Sequence, residues 1–190
     1  MRTDRIPAGA RRILVYGVTG SGKTTLAARL AQTTGISWHS VDDLTWEPGW
    51  VPVPIDEQRR RIAEICAGPE WILDTAYGDW LDLPLARAQC IVALDYPRWF
   101  SLQRLVRRTV ARAFDQRTIC NGNRESLRGM LRRDSILVWH FRSFRRKRGR
   151  IARWSAGEGS PPVIRLTSPL ETARWLAREA KAVVAAGETA

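Results

Sequence analysis

Lysine is almost missing from this chain: of its 31 basic residues only Lys23, Lys147 and Lys181 are not arginine. Coding preference for arginine accounts for part of that bias, so an arginine standing where lysine would serve is not by itself a functional signal. Cysteine is equally sparse. Cys66, Cys90 and Cys120 are odd in number and lack metal-ligand spacing, which argues against a disulfide framework or a cysteine-built zinc site and points to three reduced thiols. No apolar run approaches the roughly 18–20 residues of a membrane span; the purest stretch is Cys90–Leu94. Residues 1–12 are polar and carry no apolar signal region, so a cytoplasmic protein without a membrane partner is expected. No internal repeat is visible. With 190 residues, 44% of them apolar, the chain can bury a sizeable core and is expected to form one domain over 1–190.

Acidic residues are missing from one place in particular. Between residues 98 and 153 stand 17 basic residues and only Asp115, Glu125 and Asp134, so this segment carries +14 and leaves −2 for the rest of the chain. A near-neutral body with one cationic segment asks for phosphate, on a nucleotide, a nucleic acid or an acidic surface.

What is present alternates between strand and helix. The pattern predicts strands at 13–16, 36–41, 71–74, 90–95 and 163–166, and helices at 24–32, 55–67 and 169–186. Ser168-Pro169-Leu170-Glu171 forms a capping box that opens the last of these helices. The proline-rich stretch Trp46-Glu-Pro-Gly-Trp-Val-Pro-Val-Pro54 is expected to be a loop. Within the basic segment, a helix after Pro97 separates an apolar face (Leu102, Leu105, Val106, Thr109, Val110, Ala113) from Arg104, Arg107, Arg108 and Arg112. The Asn121-Gly122-Asn123 turn leads to a second helix over about 124–144, with 142–150 running on as a basic tail. The fold class that follows is α/β: a five-stranded parallel sheet between two helical layers, with 98–153 as a basic helical lid.

Gly17-Val-Thr-Gly-Ser-Gly22-Lys23-Thr24 matches G-x-x-x-x-G-K-[ST] at every fixed position, between an apolar strand and an amphipathic helix. At average glycine usage such a match arises by chance about half a percent of the time in a chain this long. Glycines let the backbone N–H groups of Gly17, Thr19, Gly20, Ser21 and Gly22 turn around phosphate oxygens. Lys23 brings charge to the β- and γ-phosphates, Thr24 brings a hydroxyl to Mg²⁺, and Thr25 continues the helix N-terminus. The expected ligand is therefore a nucleoside triphosphate.

In open α/β sheets the ligand lies at the carboxyl ends of the strands, and two strands here end in aspartate, Asp74 and Asp95. Counting the strands that follow favours Asp74 as the metal residue with Thr24, and Asp95 as a strand-end or secondary contact. The second strand ends in Asp42 and Asp43, which can accept the proton of an acceptor hydroxyl or simply cap a turn; Asp43 is ranked first. The arginine face, with Arg117 and Arg124 beyond it, suits stabilisation of a transferring phosphoryl group, with Arg108 and Arg112 as the catalytic candidates. His39 reads as a strand residue rather than a base. Asp134 interrupts an apolar stripe and is expected to pair with a basic residue. Trp46 and Trp50 either wall an acceptor pocket or pin their loop.

Together these residues resemble the adenylate-kinase-like branch of P-loop proteins, and within it the small bacterial topology modulation proteins. The resemblance covers about residues 12–154. It rests on the phosphate loop, Asp42-Asp43, Trp46-Glu-Pro-Gly-Trp50, Trp71-Ile-Leu-Asp74 with Tyr77-Gly78, Leu94-Asp-Tyr-Pro-Arg98, Asn121-Gly-Asn-Arg-Glu125 and Asp134-Ser-Ile136. It implies a nucleoside-monophosphate-kinase fold, ATP and Mg²⁺ as cofactors and an arginine-bearing lid; the leading expectation from all these residues is an ATP-dependent phosphotransferase acting on a hydroxyl or phosphate of a small-molecule or nucleotide acceptor. By resemblance to the fold, the 166–169 loop offers an edge to the base. Two departures from adenylate kinases argue against AMP as that acceptor. Asp74 is followed by Thr75-Ala76-Tyr77-Gly78 instead of Gly-Phe-Pro-Arg, and Ser40-Val-Asp42-Asp43 replaces Thr-Gly-Asp. Adjacent carboxylates suit a hydroxyl acceptor, as in shikimate- and gluconate-type kinases by analogy. The competing expectation is a nucleotide-dependent regulatory protein that binds nucleic acid through 142–153.

Overall fold

A computed structural model of the protein describes residues 3–75, 78–115, 118–119, 121–124, 136–157 and 159–187. Its centre is β1 (Arg12–Gly17), whose Ile13-Leu-Val-Tyr run is apolar at every position because the strand is covered on both sides. Ile13 and Val15 point to one face, Leu14 and Tyr16 to the other. β1 pairs in parallel with β5 (Trp71–Thr75) and β6 (Cys90–Leu94). β2 (Trp38–Ser40) and β9 (Val163–Leu166) complete the five-stranded parallel sheet in the order β2-β5-β1-β6-β9.

Helix α1 (Lys23–Thr34) buries Leu26, Ala27 and Leu30 on the Ile13/Val15 face, beside Trp175 of α7 (Pro169–Gly187). It stops where Gly35 takes the left-handed conformation (φ 74°) and donates its N–H to Ala31. On the Leu14/Tyr16 face lie Ile62 and Cys66 of α3 (Ile55–Ala67), and Ile151 and Trp154 of α6 (Ile136–Ser155). α4 (Asp82–Arg87) sits beside α3, with Arg59 bridging to Asp82. The three-layer α/β architecture with a helical, arginine-rich segment is the one the sequence predicts.

Several local expectations are corrected. The second strand is shorter than 36–41: Val41 already opens α2 (Val41–Thr45), because its N–H goes across the sheet to Asp74 Oδ1 (3.0 Å) instead of along a ladder. The proline-rich stretch is not a plain loop but a hairpin of β3 (Trp46–Glu47) and β4 (Val51–Pro52). It turns through Gly49 at φ 80° and Trp50 at φ 59°, and Pro52 is tolerated at the edge of a two-strand ribbon. α4 has no counterpart in the sequence reading.

The basic segment opens with α5 (Arg98–Asp115) and a second hairpin, β7 (Thr118–Ile119) and β8 (Asn123–Arg124). Its second helix runs on to Ser155, so the expected basic tail is the exposed side of α6. The apolar period of α6 was hidden because a lysine, Lys147, occupies one of its buried positions. Residues 125–135, including Glu125 and Asp134, lie outside the described residues, as do Arg117, Tyr77 and Cys120. The described cysteines, Cys66 and Cys90, are buried free thiols, and burial pushes Cys90 up to about 12. Among the described residues no helix is long and apolar enough to cross a membrane.

Candidate functional site

Strand β1 delivers its chain end into the glycine-rich loop. At Gly17 a Cβ would come within 2.9 Å of the Leu94 carbonyl and 2.8 Å of Ser21 Oγ. Gly20 and Gly22 take φ 81° and 95°, which L side chains rarely adopt. A Cβ at Gly20 would also lie 2.4 Å from the Ser101 carbonyl of α5, and one at Gly22 would lie 3.2 Å from the Arg104 guanidinium. The loop is therefore both curved for anion binding and closely roofed by α5. Inside the curve, Ser21 donates from N and from Oγ to the Val18 carbonyl (3.2 and 2.8 Å), and Lys23 Nζ donates to the same oxygen (3.1 Å). Thr24 and Thr25 remain exposed at the start of α1.

Asp74, in register with Val15 of β1 and Ser40 of β2, is buried at the carboxyl end of β5. Burial raises its carboxyl above the usual range; the Thr24 hydroxyl, the Val41 N–H and the Lys23 charge pull it back down. Burial likewise lowers Lys23, with Asp74 and Asp42 opposing that shift. Thr24, Asp74, Lys23 and Asp42 thus meet in one place. Asp42 and Asp43 both occupy the exposed first turn of α2, and it is the Asp42 charge that acts on Lys23 and Asp74. A hydroxyl and a carboxylate are the oxygen donors that a hard cation such as Mg²⁺ takes, with its other positions left to phosphate and water.

The second strand-end aspartate is committed elsewhere. Asp95 accepts from Arg148 Nε at 2.8 Å and from Arg165 Nε and Nη2 at 2.9 and 2.5 Å, which ties α6 and β9 to the end of β6.

Of the arginine face, Arg104 lies beside Gly22 and over the Phe100 ring, and the Arg108 charge acts on Lys23. Arg107 is exposed. Arg112 lies in α5 and Arg124 in β8, but their side chains fall outside the described residues. His39 is a half-buried strand residue whose ring is held below its ordinary pKa by burial. Trp46 and Trp50 pack edge to face (5.7 Å) in the first hairpin. The second hairpin docks on that hairpin through two asparagines. Asn121 Nδ2 donates to the carbonyls of Asp43 (2.8 Å) and Trp46 (2.7 Å), while Asn123 receives the Trp50 N–H (2.7 Å) and donates to the Glu47 carbonyl (3.0 Å). At the last helix, Thr167 N–H and hydroxyl reach Glu171, and Ser168 Oγ accepts the Glu171 N–H.

Sequence reasoning missed two residues of α6. His140 is fully buried, and its Nδ1 lies 3.1 Å from the Thr19 carbonyl of the phosphate loop. A carbonyl can only accept, so Nδ1 carries the proton; burial lowers the ring's pKa and favours the neutral form. Lys147 is buried within the electrostatic reach of Lys23 and Asp42. Its signal was rarity: two of the three lysines in an arginine-rich chain meet at this site.

No family model matches the sequence, and no curated protein sequence matches it. Solved structures do match over nearly the whole chain. A gluconokinase from Sinorhizobium meliloti 1021 superposes with a TM-score of 0.52 at 20% identity, covering 95% of this chain and 97% of that one. A shikimate kinase from Bacteroides thetaiotaomicron gives 0.52 at 15% identity, covering 92% and 99%. At these identities the likeness establishes the fold: the chain has the fold of the P-loop kinases.

Proposed function

We propose that the protein is an ATP- and Mg²⁺-dependent phosphotransferase acting on a hydroxyl of a small-molecule acceptor. The observation that carries this reading is the meeting of Thr24, Asp74, Lys23 and Asp42 at the mouth of a phosphate-binding loop. The loop N–H groups and the N-terminus of α1 hold the phosphate chain. Thr24 and Asp74 would hold Mg²⁺, which when bound neutralises charge on the phosphates. Asp42 is better situated than Asp43 to take the acceptor's hydroxyl proton as its oxygen bonds to the terminal phosphorus. The bond from that phosphorus to the ADP oxygen then breaks. Lys23 and Arg108, with Arg112 as a further candidate, stabilise the charge on the equatorial oxygens. The close cover of α5 over Gly20 helps exclude water, which suppresses ATP hydrolysis.

A screen of hydroxy acids, sugars, polyols, nucleosides and nucleoside monophosphates with ATP and Mg²⁺ tests the reading, with Lys23→Ala as the blank. ADP release that requires one acceptor and disappears in the blank is the expected result. Nucleotide binding without any transfer would count against it and direct attention to the exposed arginines of α6 as a nucleic-acid surface. Against that alternative stands the internal use of the same basic run, in which Arg148 pairs with Asp95, Arg150 reaches the Tyr16 hydroxyl and Lys147 is buried.

A further inference from the structure

The inner face of α6 carries three polar side chains where its packing calls for apolar ones. His140, Ser143 and Lys147 follow at helical spacing and are 0%, 1% and 1% exposed, in line with the buried Phe144, Ile151 and Trp154. Among the described residues, His140 Nε2, Ser143 Oγ and Lys147 Nζ have no hydrogen-bond partner. Buried polar atoms are nearly always paired, and three unpaired ones on one stripe cost stability that no contact among the described residues returns. The ends of the stripe are located by contacts: His140 touches the Thr19 carbonyl of the phosphate loop, and Trp154 stacks edge-on against Tyr16 of β1 at 4.7 Å. Lys147 therefore lies over the carboxyl end of β1. The charges acting there are Lys23 from α1, Asp42 from α2, Arg146 and Arg150 from α6 itself, and His140 when protonated. Among the described residues, three basic side chains act against a charge on the Lys147 amine and one carboxylate favours it.

We propose that His140, Ser143 and Lys147 form an anion-binding subsite on α6 that receives a phosphoryl or carboxylate group across from Lys23. The anion is either the terminal phosphoryl of the nucleotide or a negatively charged group on the acceptor. Lys147 supplies the counter-charge and Ser143 a hydroxyl donor, while His140, neutral with its proton on Nδ1, ties this face of α6 to the phosphate loop and leaves Nε2 as an acceptor for a protonated oxygen of the incoming group. The subsite deepens the phosphotransferase reading and rests on it for the identity of the anion's carrier. In its absence burial, reinforced by Lys23, Arg146 and Arg150, brings Lys147 down to about 6, so the side chain is mostly neutral at pH 7.5. An anion at the subsite favours the ammonium, and binding takes up close to one proton.

The test uses the full chain with Mg²⁺, as wild type, Lys147→Met, Lys147→Arg and Ser143→Ala. Calorimetry at pH 7.5, in buffers of different ionisation enthalpy, measures ADP, a non-hydrolysable ATP analogue, and inorganic phosphate added with and without ADP. Lys147→Met is expected to melt at or above the wild-type temperature, because it removes a buried unpaired amine. It should bind ADP within twofold of wild type and lose at least tenfold on the analogue or on phosphate, together with the proton uptake. Loss on the analogue assigns the anion to the nucleotide; loss on phosphate alone assigns it to the acceptor. Ser143→Ala should lose a few-fold in the same arm.

Wild-type affinity for all probes in Lys147→Met overturns the proposal. So does a drop of several degrees in its melting temperature that Lys147→Arg restores without any change in binding. If the wild type binds neither nucleotide, the phosphotransferase reading falls, while the phosphate arm without ADP still judges the subsite alone.

Discussion

The two strands that flank β1, β5 and β6, each deliver an aspartate to the carboxyl edge of the sheet, and the two carboxylates have opposite fates. Asp95 is 4% exposed and surrounded by the guanidinium groups of Arg148 and Arg165. Asp74 is 5% exposed, yet it is met by a hydroxyl, a backbone N–H and the charge of a half-buried lysine. The first is neutralised by the fold and joins α6 to β9. The second is stabilised by hydrogen bonds but short of positive charge, a condition that a cation would relieve. Equal burial at equivalent strand ends thus separates a carboxylate paired with two arginines from one held by hydrogen bonds beside a single lysine.

Exchanging each for asparagine should break the symmetry in opposite directions. Asp74→Asn is expected to lower acceptor-dependent ATP turnover by about 10²–10³, the scale of removing one electrostatic stabiliser. It should melt at or above wild type near pH 7. Burial raises the folded-state pKa of Asp74, so the unfolded chain gives up this proton first, and the native state loses stability as pH rises through the folded value. Turnover within tenfold of wild type would remove Asp74 from the site.

Asp95→Asn should leave turnover per folded molecule nearly unchanged and destabilise the protein. The expected loss is on the order of 2–3 kcal/mol, below the usual cost of breaking a fully buried pair, because Arg148 and Arg165 are 45% and 32% exposed. For a domain of this size that is a melting shift of roughly 4–12 °C. A stable but inactive Asp95→Asn would reverse the assignment of the two aspartates.

Lys147 extends the contrast to a buried cation. Its folded-state pKa lies below the unfolded value, so the stability it contributes at high pH is lost as pH falls towards about 6. Melting temperatures of wild type and Lys147→Met between pH 10 and 6 should diverge progressively, with the flatter profile in the variant; parallel profiles would mean that the amine titrates normally. The smallest effect is expected at Asn121. Asn121→Ala removes two hydrogen bonds from an exposed hairpin and should cost about 1 kcal/mol. If the Asp43–Trp50 region borders the acceptor, KM for the acceptor should rise more than kcat falls.

The centre of the sheet was legible in the sequence because strands buried on both faces, such as β1 and β6, read as short, unbroken apolar runs; the edge strand β2, half-buried Trp-His-Ser, carries no such run and its bounds were overextended. The phosphate loop was legible because glycines at φ near 80–95° leave a spacing that few other structures require. The hairpin at 46–52 was not, since prolines that forbid a central strand are harmless on a two-strand edge. The end of α6 was missed because an amphipathic stripe was sought among apolar residues, and Lys147 sits in the stripe.

Local chemistry alone therefore determined the order of the five sheet strands and of the main helices between them, the glycine-rich loop, and a shortlist of acidic and basic side chains near strand ends. Which aspartate is paired with arginines, which of the Asp42–Asp43 pair acts on the lysine, and that α6 lays a buried amine over β1 were decided by tertiary packing. Those outcomes depend on partners tens of residues apart in the chain, such as Arg148 and Arg165 on Asp95, and a charge's meaning changes once burial removes the water that would otherwise screen it.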